Sequence, residues 1–295
     1  MKLILFFLAI LFSTSVIAME LVDDRGVLVK FDYPPQRIIS LLPSITEFVC
    51  VLDQCDRLVG VDMFSNYPLS VHTLRTLGSG LEPNIEKIIA LKPDLILMGM
   101  SPRAAEHLRS LGLKVFSLEA RKYQDVPRVL EKLALILRVP QTQAESIWLK
   151  TRTELIMLAE ALPVVHPKLK VYFEISSAPY AAGPDSVIGE TLERLGVENI
   201  IPASLGAFPK INPELVVRSN PDVIMLSDKN VFNLNDRPGW SGMKAVREGR
   251  VCNFAENESD LIVRAGPRLA EGAKAIAQCL AKYGYSVPIG LTIQR

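Results

Sequence analysis

Two carboxylates stand at matching places in two similar stretches of the chain. Asn84-Ile85-Glu86, then Pro93-Asp94 and the apolar run Leu95–Met98, recur 128 residues later as Asn212-Pro213-Glu214, Pro221-Asp222 and Val223–Leu226. Four identities at one offset, on one helix–turn–strand pattern, mark a single internal repeat. Local rules explain three of the four: Asn caps a helix, and Pro-Asp makes the turn into a strand. Glu86 and Glu214 fall in a first helical turn, where negative charge suits the helix dipole. The dipole accepts any acid, so their recurrence is only partly explained.

The remaining chemistry-bearing residues exclude more than they assert. His72, His107 and His166 are scattered, and neither CxxC nor HxxxH occurs, so no metal site is expected. Gly78-Ser79-Gly80-Leu81-Glu82-Pro83 begins like GxGxxG but lacks the third glycine and does not directly follow a strand. There is no GxxxxGK[ST] for phosphate and no GxSxG nucleophile turn. The sequence therefore predicts no catalytic residues and no cofactor; an exported α/β enzyme is the competing reading. Cys50, Cys55, Cys252 and Cys279 allow three full pairings, among them a local Cys50–Cys55 staple.

The N-terminus predicts export. Met1-Lys2 is a short positive start, Leu3–Phe12 is unbroken apolar sequence, and Val16 and Ala18 suit a cleavage site after Ala18. The apolar run is shorter than the about 20 residues a spanning helix needs. No cysteine stands at the cleavage point, which speaks against a lipid anchor. Loss of Lys2 leaves 32 basic and 32 acidic side chains, without the basic excess of a nucleic-acid binder. The expected compartment is the periplasm, where disulfides persist.

Positioning these residues requires alternating strands and helices. Leu21–Val29 reads as a hairpin around a polar turn. Strands follow at Ile38–Leu41, Leu58–Val61, Leu95–Met98 and Lys114–Leu118, and helices begin at Ser44, Ile85, Ala104 and Val126. Ser44-Ile45-Thr46-Glu47 has the form of a capping box. Gln141–Leu162 interrupts the rhythm with apolar residues at helical spacing and no internal Gly or Pro, a rod of roughly 33 Å. A second alternation runs from Val171 to a closing helix at Pro267–Lys282. The pattern predicts mainly parallel sheets flanked by helices, as two lobes: signal peptide 1–18, N-terminal α/β lobe 19–138, interlobe helix 139–165 and C-terminal α/β lobe 166–295.

Residues 21–285 resemble the solute-binding proteins of ABC importers for cobalamin, ferric siderophores and heme. The resemblance rests on Asp23-Asp24-Arg25-Gly26, Pro35–Ser44 with Thr46-Glu47, Asp56–Val61, Asn84-Ile85-Glu86 with Leu91–Ile96, Arg237-Pro238-Gly239-Trp240 and Arg264–Arg268. Within the class the chain is most similar to the cobalamin binders. The resemblance implies two Rossmann-like lobes joined by one long helix, with a ligand cleft between them, the class III periplasmic binding protein fold. It also implies a non-catalytic monomer that passes cobalamin or a related corrinoid to the membrane subunits of an ABC transporter; a ferric siderophore or heme is the alternative cargo. It gives Glu86 and Glu214 the role of transporter contacts, one per lobe. It places Pro43, Ser44, Tyr67, Met98, Phe208, Asp260 and Arg264 at the ligand. The chain departs from the cobalamin binders in two cleft positions that hold tryptophan there: the Gly78-Ser79-Gly80 loop stands at one, and Met98–Met100 near the other.

Overall fold

The structure is a computed structural model, and it describes residues 18–162, 166–176, 179–227 and 234–283. Most of the predicted signal peptide, the last residues of the predicted interlobe helix and the C-terminal segment lie outside that range.

The chain opens with the expected hairpin, β1 (Met19–Val22) and β2 (Leu28–Phe31), paired antiparallel. Its turn is a structural anchor. The buried Asp23 carboxylate accepts from the amides of Arg25, Val27 and Ser117 and from Arg109. Asp24 takes Arg128, Lys132 and the Glu119 amide.

The first lobe then runs β3 (Ile38–Ser40), α1 (Pro43–Val51), β4 (Leu58–Val61), β5 (Arg75–Thr76), α2 (Ile85–Ala90), β6 (Leu95–Met98), α3 (Pro102–Ser110), β7 (Val115–Ser117) and α4 (Asp125–Leu137). Its parallel sheet has the order β5-β4-β3-β6-β7. The chain builds outward from β3 to one side, then crosses over to β6 on the other. That reversal leaves a crevice beyond the carboxyl ends of β3 and β6.

Helix α5 (Gln141–Glu160) leads to the second lobe: β8 (Lys170–Ser176), β9 (Tyr180–Ala181), α6 (Val187–Arg194), β10 (Glu198–Asn199), α7 (Pro213–Ser219), β11 (Val223–Leu226), α8 (Lys244–Arg247), β12 (Val251–Asn253), α9 (Glu256–Val263) and α10 (Leu269–Ala281). Its sheet has the order β10-β8-β11-β12 with β9 antiparallel on β8, so here the reversal lies between β8 and β11.

The repeated unit does the same work twice. Asn84 caps α2 by accepting from the Lys87 amide, and Asn212 caps α7 by accepting from the Glu214 amide, each at 3.0 Å. Asp94 accepts from the amides of Gln36 and Arg37 at 2.7 and 3.0 Å, clamping the entrance to β3. Asp222 accepts from the Lys170 amide at 2.9 Å, at the start of β8.

Strand periodicity decides which core each residue enters. Leu95 and Leu97 of β6, and Val223 and Met225 of β11, face one continuous core. It runs from the first sheet through α1, α4, α5 and α10 to the second sheet. Ile96 and Met98 join a separate cluster under α2 and α3, and Ile224 and Leu226 join its counterpart under α7 and α8. Each Leu or Phe so buried contributes roughly 1.5–3 kcal/mol. Helix α5 buries Ala144, Thr151, Leu155 and Leu158 in the shared core. Ile156, read in the sequence as part of its apolar face, is 42% exposed.

Two disulfides form, Cys50–Cys55 and Cys252–Cys279, which selects one of the three pairings. The first is the local staple at the end of α1. The second joins β12 to α10.

Candidate ligand-binding site

The crevice of the first lobe holds a cavity of about 510 Å³, open to the side. Its walls come from the segments that leave four parallel strands: Leu41–Pro43 after β3, Asp62 and Phe64 after β4, Gly99–Pro102 after β6, and Glu119 and Arg121 after β7. Ser79, Gly80 and Leu81 complete it. A side chain at Gly80 would place its Cβ 2.5 Å from the Leu41 carbonyl oxygen, so this loop meets the pocket as backbone. The apolar surface comes instead from Phe64 and Leu81, 57% and 77% exposed.

The charges at the pocket are engaged. Asp62 is buried and accepts from the Phe64 amide at 2.7 Å and from the Ser65 hydroxyl. Burial pushes its carboxyl above the usual range, against the pull of these hydrogen bonds and of Arg264. The Glu119 carboxylate accepts from the Met100 amide at 3.1 Å and pairs with Arg121 at 3.3 Å. Ser65 hydrogen-bonds Thr46, which donates to Ser40, so buried hydroxyls brace the pocket from behind.

Of the residues expected at the ligand, Pro43 lines this pocket. Ser44, the next residue into α1, is buried and off its wall. Met98 is fully buried, because alternation along β6 turns it with Ile96 toward α2 and α3. The methionine at the pocket is Met100. Tyr67 is set apart from it. The Arg268 guanidinium lies 3.6 Å above its ring, and it lines a second cavity of about 360 Å³ among α1, α5 and the start of α10. Phe208, 49% exposed, belongs to the second lobe, on a loop tied to β9 and the residues just after it by Ala181–Pro209 and Gly183–Ala207 backbone bonds.

Asp260 and Arg264 face each other and the first lobe. Arg264 pairs with Asp260 at 2.9 Å and with Glu47 of α1 at 2.9 Å, and it donates to the Asn66 side chain and the Phe64 carbonyl. Arg268 also grips Glu47, at 2.9 and 2.7 Å. The capping box expected at Ser44 is therefore not formed. Pro43 opens α1 after Leu42, and Glu47, 3% exposed, is the anion of an interlobe cluster. A Ser-x-x-Glu match cannot reveal this use, because both arginines lie more than 200 residues away. Beside the cluster, burial raises the Glu271 carboxyl, and Glu47 and Glu154 add to the rise.

Glu86 and Glu214 stand exposed in the first turns of α2 and α7, and neither forms an ion pair among the described residues. The corresponding place in the second lobe to the pocket's Leu41 is held by Glu174. It is fully buried, bound by Arg237 through two contacts of 2.7 Å and by the Tyr172 hydroxyl at 2.9 Å. Burial and this anion push the Tyr172 phenol far above its ordinary range. Arg237 also lies over Trp240, 4.4 Å from its ring centre.

The first lobe thus carries an open pocket at its strand reversal, and helix α5 leads from it to a second α/β lobe. The periplasmic binding protein family matches residues 38–257. The chain belongs to that family. It is 28% identical over 285 residues to an uncharacterized ABC transporter substrate-binding lipoprotein, YvrC of Bacillus subtilis, covering 91% of this chain and 87% of that one. It is 30% identical over 251 residues to a vitamin B12-binding protein of Pectobacterium carotovorum, covering 83% and 88% of the two chains. Among solved structures, a periplasmic heme-binding protein from Pseudomonas aeruginosa superposes with a TM-score of 0.72 at 26% identity, covering 86% and 95%. The chain has the class III periplasmic binding fold of two α/β lobes joined by a long helix.

Proposed function

We propose that this protein is the exported substrate-binding component of an ABC importer, and that it carries cobalamin or a related corrinoid. The observation that carries the reading is the pocket: an open, mostly apolar crevice at a strand reversal whose charges already have partners. A large, rim-polar ligand that brings its own metal coordination suits such a surface. Polyanionic ferric siderophores call for free cations, whereas Arg121 is paired with Glu119, and Arg264 is held by Glu47 and Asp260. No histidine or tyrosine is among the pocket-lining residues to serve as an axial heme ligand. Phe208, half exposed on the second lobe, is the aromatic that this reading assigns to the other side of the ligand. The vitamin B12-binding relative, matched over most of both chains, supports the same cargo.

In this reading residues 1–18 direct export to the periplasm, and the mature chain acts as a monomer. The lobes are 19–138 and 166–295, and the helix between them is 139–165. Binding involves no bond-making step. Glu86 and Glu214 meet cationic groups on the two membrane subunits, so that one acid per lobe sets the orientation of docking.

Calorimetric and absorbance titration of the purified protein tests the cargo. Cyanocobalamin is expected to bind one-to-one with a Kd in the micromolar range or below. Silence toward cyanocobalamin together with a Soret shift on adding hemin would replace the corrinoid by heme. Met100 favours that second reading, as the soft donor on the pocket wall, and Met100→Leu would then abolish the shift. Saturable binding of a ferric hydroxamate alone would transfer the assignment to a siderophore.

A further inference from the structure

Arg264 lies on neither cavity wall described above, yet it is joined to the wall of the ligand pocket. It follows α9 directly and is buried to 9% side-chain exposure. One guanidinium nitrogen donates to Glu47 Oε1 and Asn66 Oδ1, each at 2.9 Å. The other donates to the Phe64 carbonyl oxygen at 2.9 Å and meets Asp260 Oδ2 at 2.9 Å. Asn66 closes the ring by donating its Nδ2 to Asp260 at 2.6 Å. The second lobe thus holds both Phe64 and Asn66 of a loop in the first.

That loop has its own internal fastening. The Met63 amide donates to the Gly78 carbonyl at 2.8 Å, and Asp62 receives the Phe64 amide and the Ser65 hydroxyl. These bonds secure the side nearest β4. Phe64 remains 57% exposed and projects from the part that Arg264 holds. A five-donor fork suits this task, since four acceptors on two lobes surround one planar group.

We propose that Arg264 is a positioning residue: from the second lobe it fixes the 62–67 loop of the first, and thereby sets where Phe64 meets the ligand. The proposal rests on the pocket being the ligand site, as argued above. It departs from the sequence expectation that Arg264 touches ligand itself. It makes lobe separation and the loosening of the pocket wall one event, because any movement that draws α9 away from α1 withdraws the Phe64 and Asn66 contacts together. Arg268 also binds Glu47 and lies over Tyr67 at the far end of the same loop, but of the two arginines it is Arg264 that donates to Phe64 and Asn66 beside the pocket wall.

The test is a double-mutant cycle on the full chain with cyanocobalamin as probe, joined to hydrogen exchange without ligand. Arg264→Gln is expected to raise the Kd about tenfold or more, as loss of charge-assisted hydrogen bonds would. Phe64→Ala is expected to do the same, and the double variant to bind no worse than Phe64→Ala alone. Additive losses would overturn the proposal, because Arg264 would then act on ligand by another route. Without ligand, Arg264→Gln should speed exchange at the Met63 and Phe64 amides and leave the β6 amides unchanged; no change at the loop would also overturn it. Where Arg264→Gln does not fold, Arg264→Lys takes its place: it keeps the charge for Glu47 and Asp260 but cannot span Phe64 and Asn66 as well. If the unaltered protein takes no cyanocobalamin, the corrinoid reading fails on that result, and the exchange measurement decides the positioning role by itself.

Discussion

The two lobes share an outer unit and differ at the ends of their central strands. On the outside, Asn84 and Asn212 cap equivalent helices, Glu86 and Glu214 stand exposed in their first turns, and Asp94 and Asp222 clamp β3 and β8. Ile38 pairs with Leu95 as Val171 pairs with Val223, so Leu41 and Glu174 occupy matching places three residues further on. There the likeness ends. Leu41 lines an open pocket, while Glu174 is sealed under Arg237, Tyr172 and Trp240. A buried carboxylate must be paired, and Glu174 is paired with Arg237 and the Tyr172 hydroxyl. The outer unit thus keeps the same caps and clamps in both lobes, whereas the strand ends differ in whether they are open or sealed.

The largest effect expected from this comparison lies on the repeated surface. Glu86→Lys with Glu214→Lys should reduce uptake to background in cells that depend on this protein, since like charges forced together cost several kcal/mol. Cyanocobalamin affinity should stay within about twofold, because neither residue lines the pocket. Each single reversal should harm uptake comparably. A harmless reversal on one lobe would break the symmetry of docking.

The disulfides offer a contrast of intermediate size. Cys252–Cys279 closes a separation of 27 residues in the second lobe, and Cys50–Cys55 closes one of 5 in the first. Chain-entropy arguments give about 3.5 kcal/mol for the longer loop and about 2 kcal/mol for the shorter. Replacing each pair by alanine and measuring denaturant midpoints should reproduce that order. The reverse order would show that the first lobe depends more on its staple than loop length implies.

The smallest effect is a difference in acid sensitivity. Burial raises the Asp24 carboxyl, but hydrogen bonds from Arg128, the Glu119 amide and Lys132 overcome this and hold it below its ordinary value of 3.8. Asp125 is lowered likewise in the first lobe, and Asp222 in the second, where Lys244 and the Lys170 amide outweigh burial. A depressed folded-state pKa stabilises above the unfolded value and is lost as pH falls through the folded one. Asp24→Asn should therefore lower Tm at about pH 7 and lower it progressively less at acid pH below the ordinary value of 3.8. Asp222→Asn should follow the same course with a smaller drop, since fewer donors depend on it. An equal loss at neutral and acid pH would mean that the aspartate charge is not what stabilises either lobe.

Much of the fold was legible because periodicity and capping are local. The helix expected from Gln141 runs Gln141–Glu160, and the repeated Asn and Asp residues cap and clamp as their types require. Helix α9 was not legible: Glu-Asn-Glu-Ser-Asp-Leu-Ile-Val offers two buried side chains, too few for a periodic signal. Pro43 lines the cavity, as the end of a parallel strand at a crevice would have it. Alternation lets a strand-end methionine face either a pocket or a core, and Met98 faces the core while Met100 lines the cavity. Glu47 has a convincing local role in sequence, and only distant arginines reveal its other one.

By itself the sequence determined the two alternations, the rod between them, the repeated acids and the family pattern, all written in residue type and short spacing. The tertiary structure decided which cysteines pair, which lobe keeps an open pocket and where Arg264 points. Those outcomes depend on contacts between residues far apart in the chain: Cys252 with Cys279, Glu174 with Arg237, Arg264 with Glu47 and Phe64. No spacing rule encodes them, because a side chain's partner across a fold is fixed only when every intervening element has been packed.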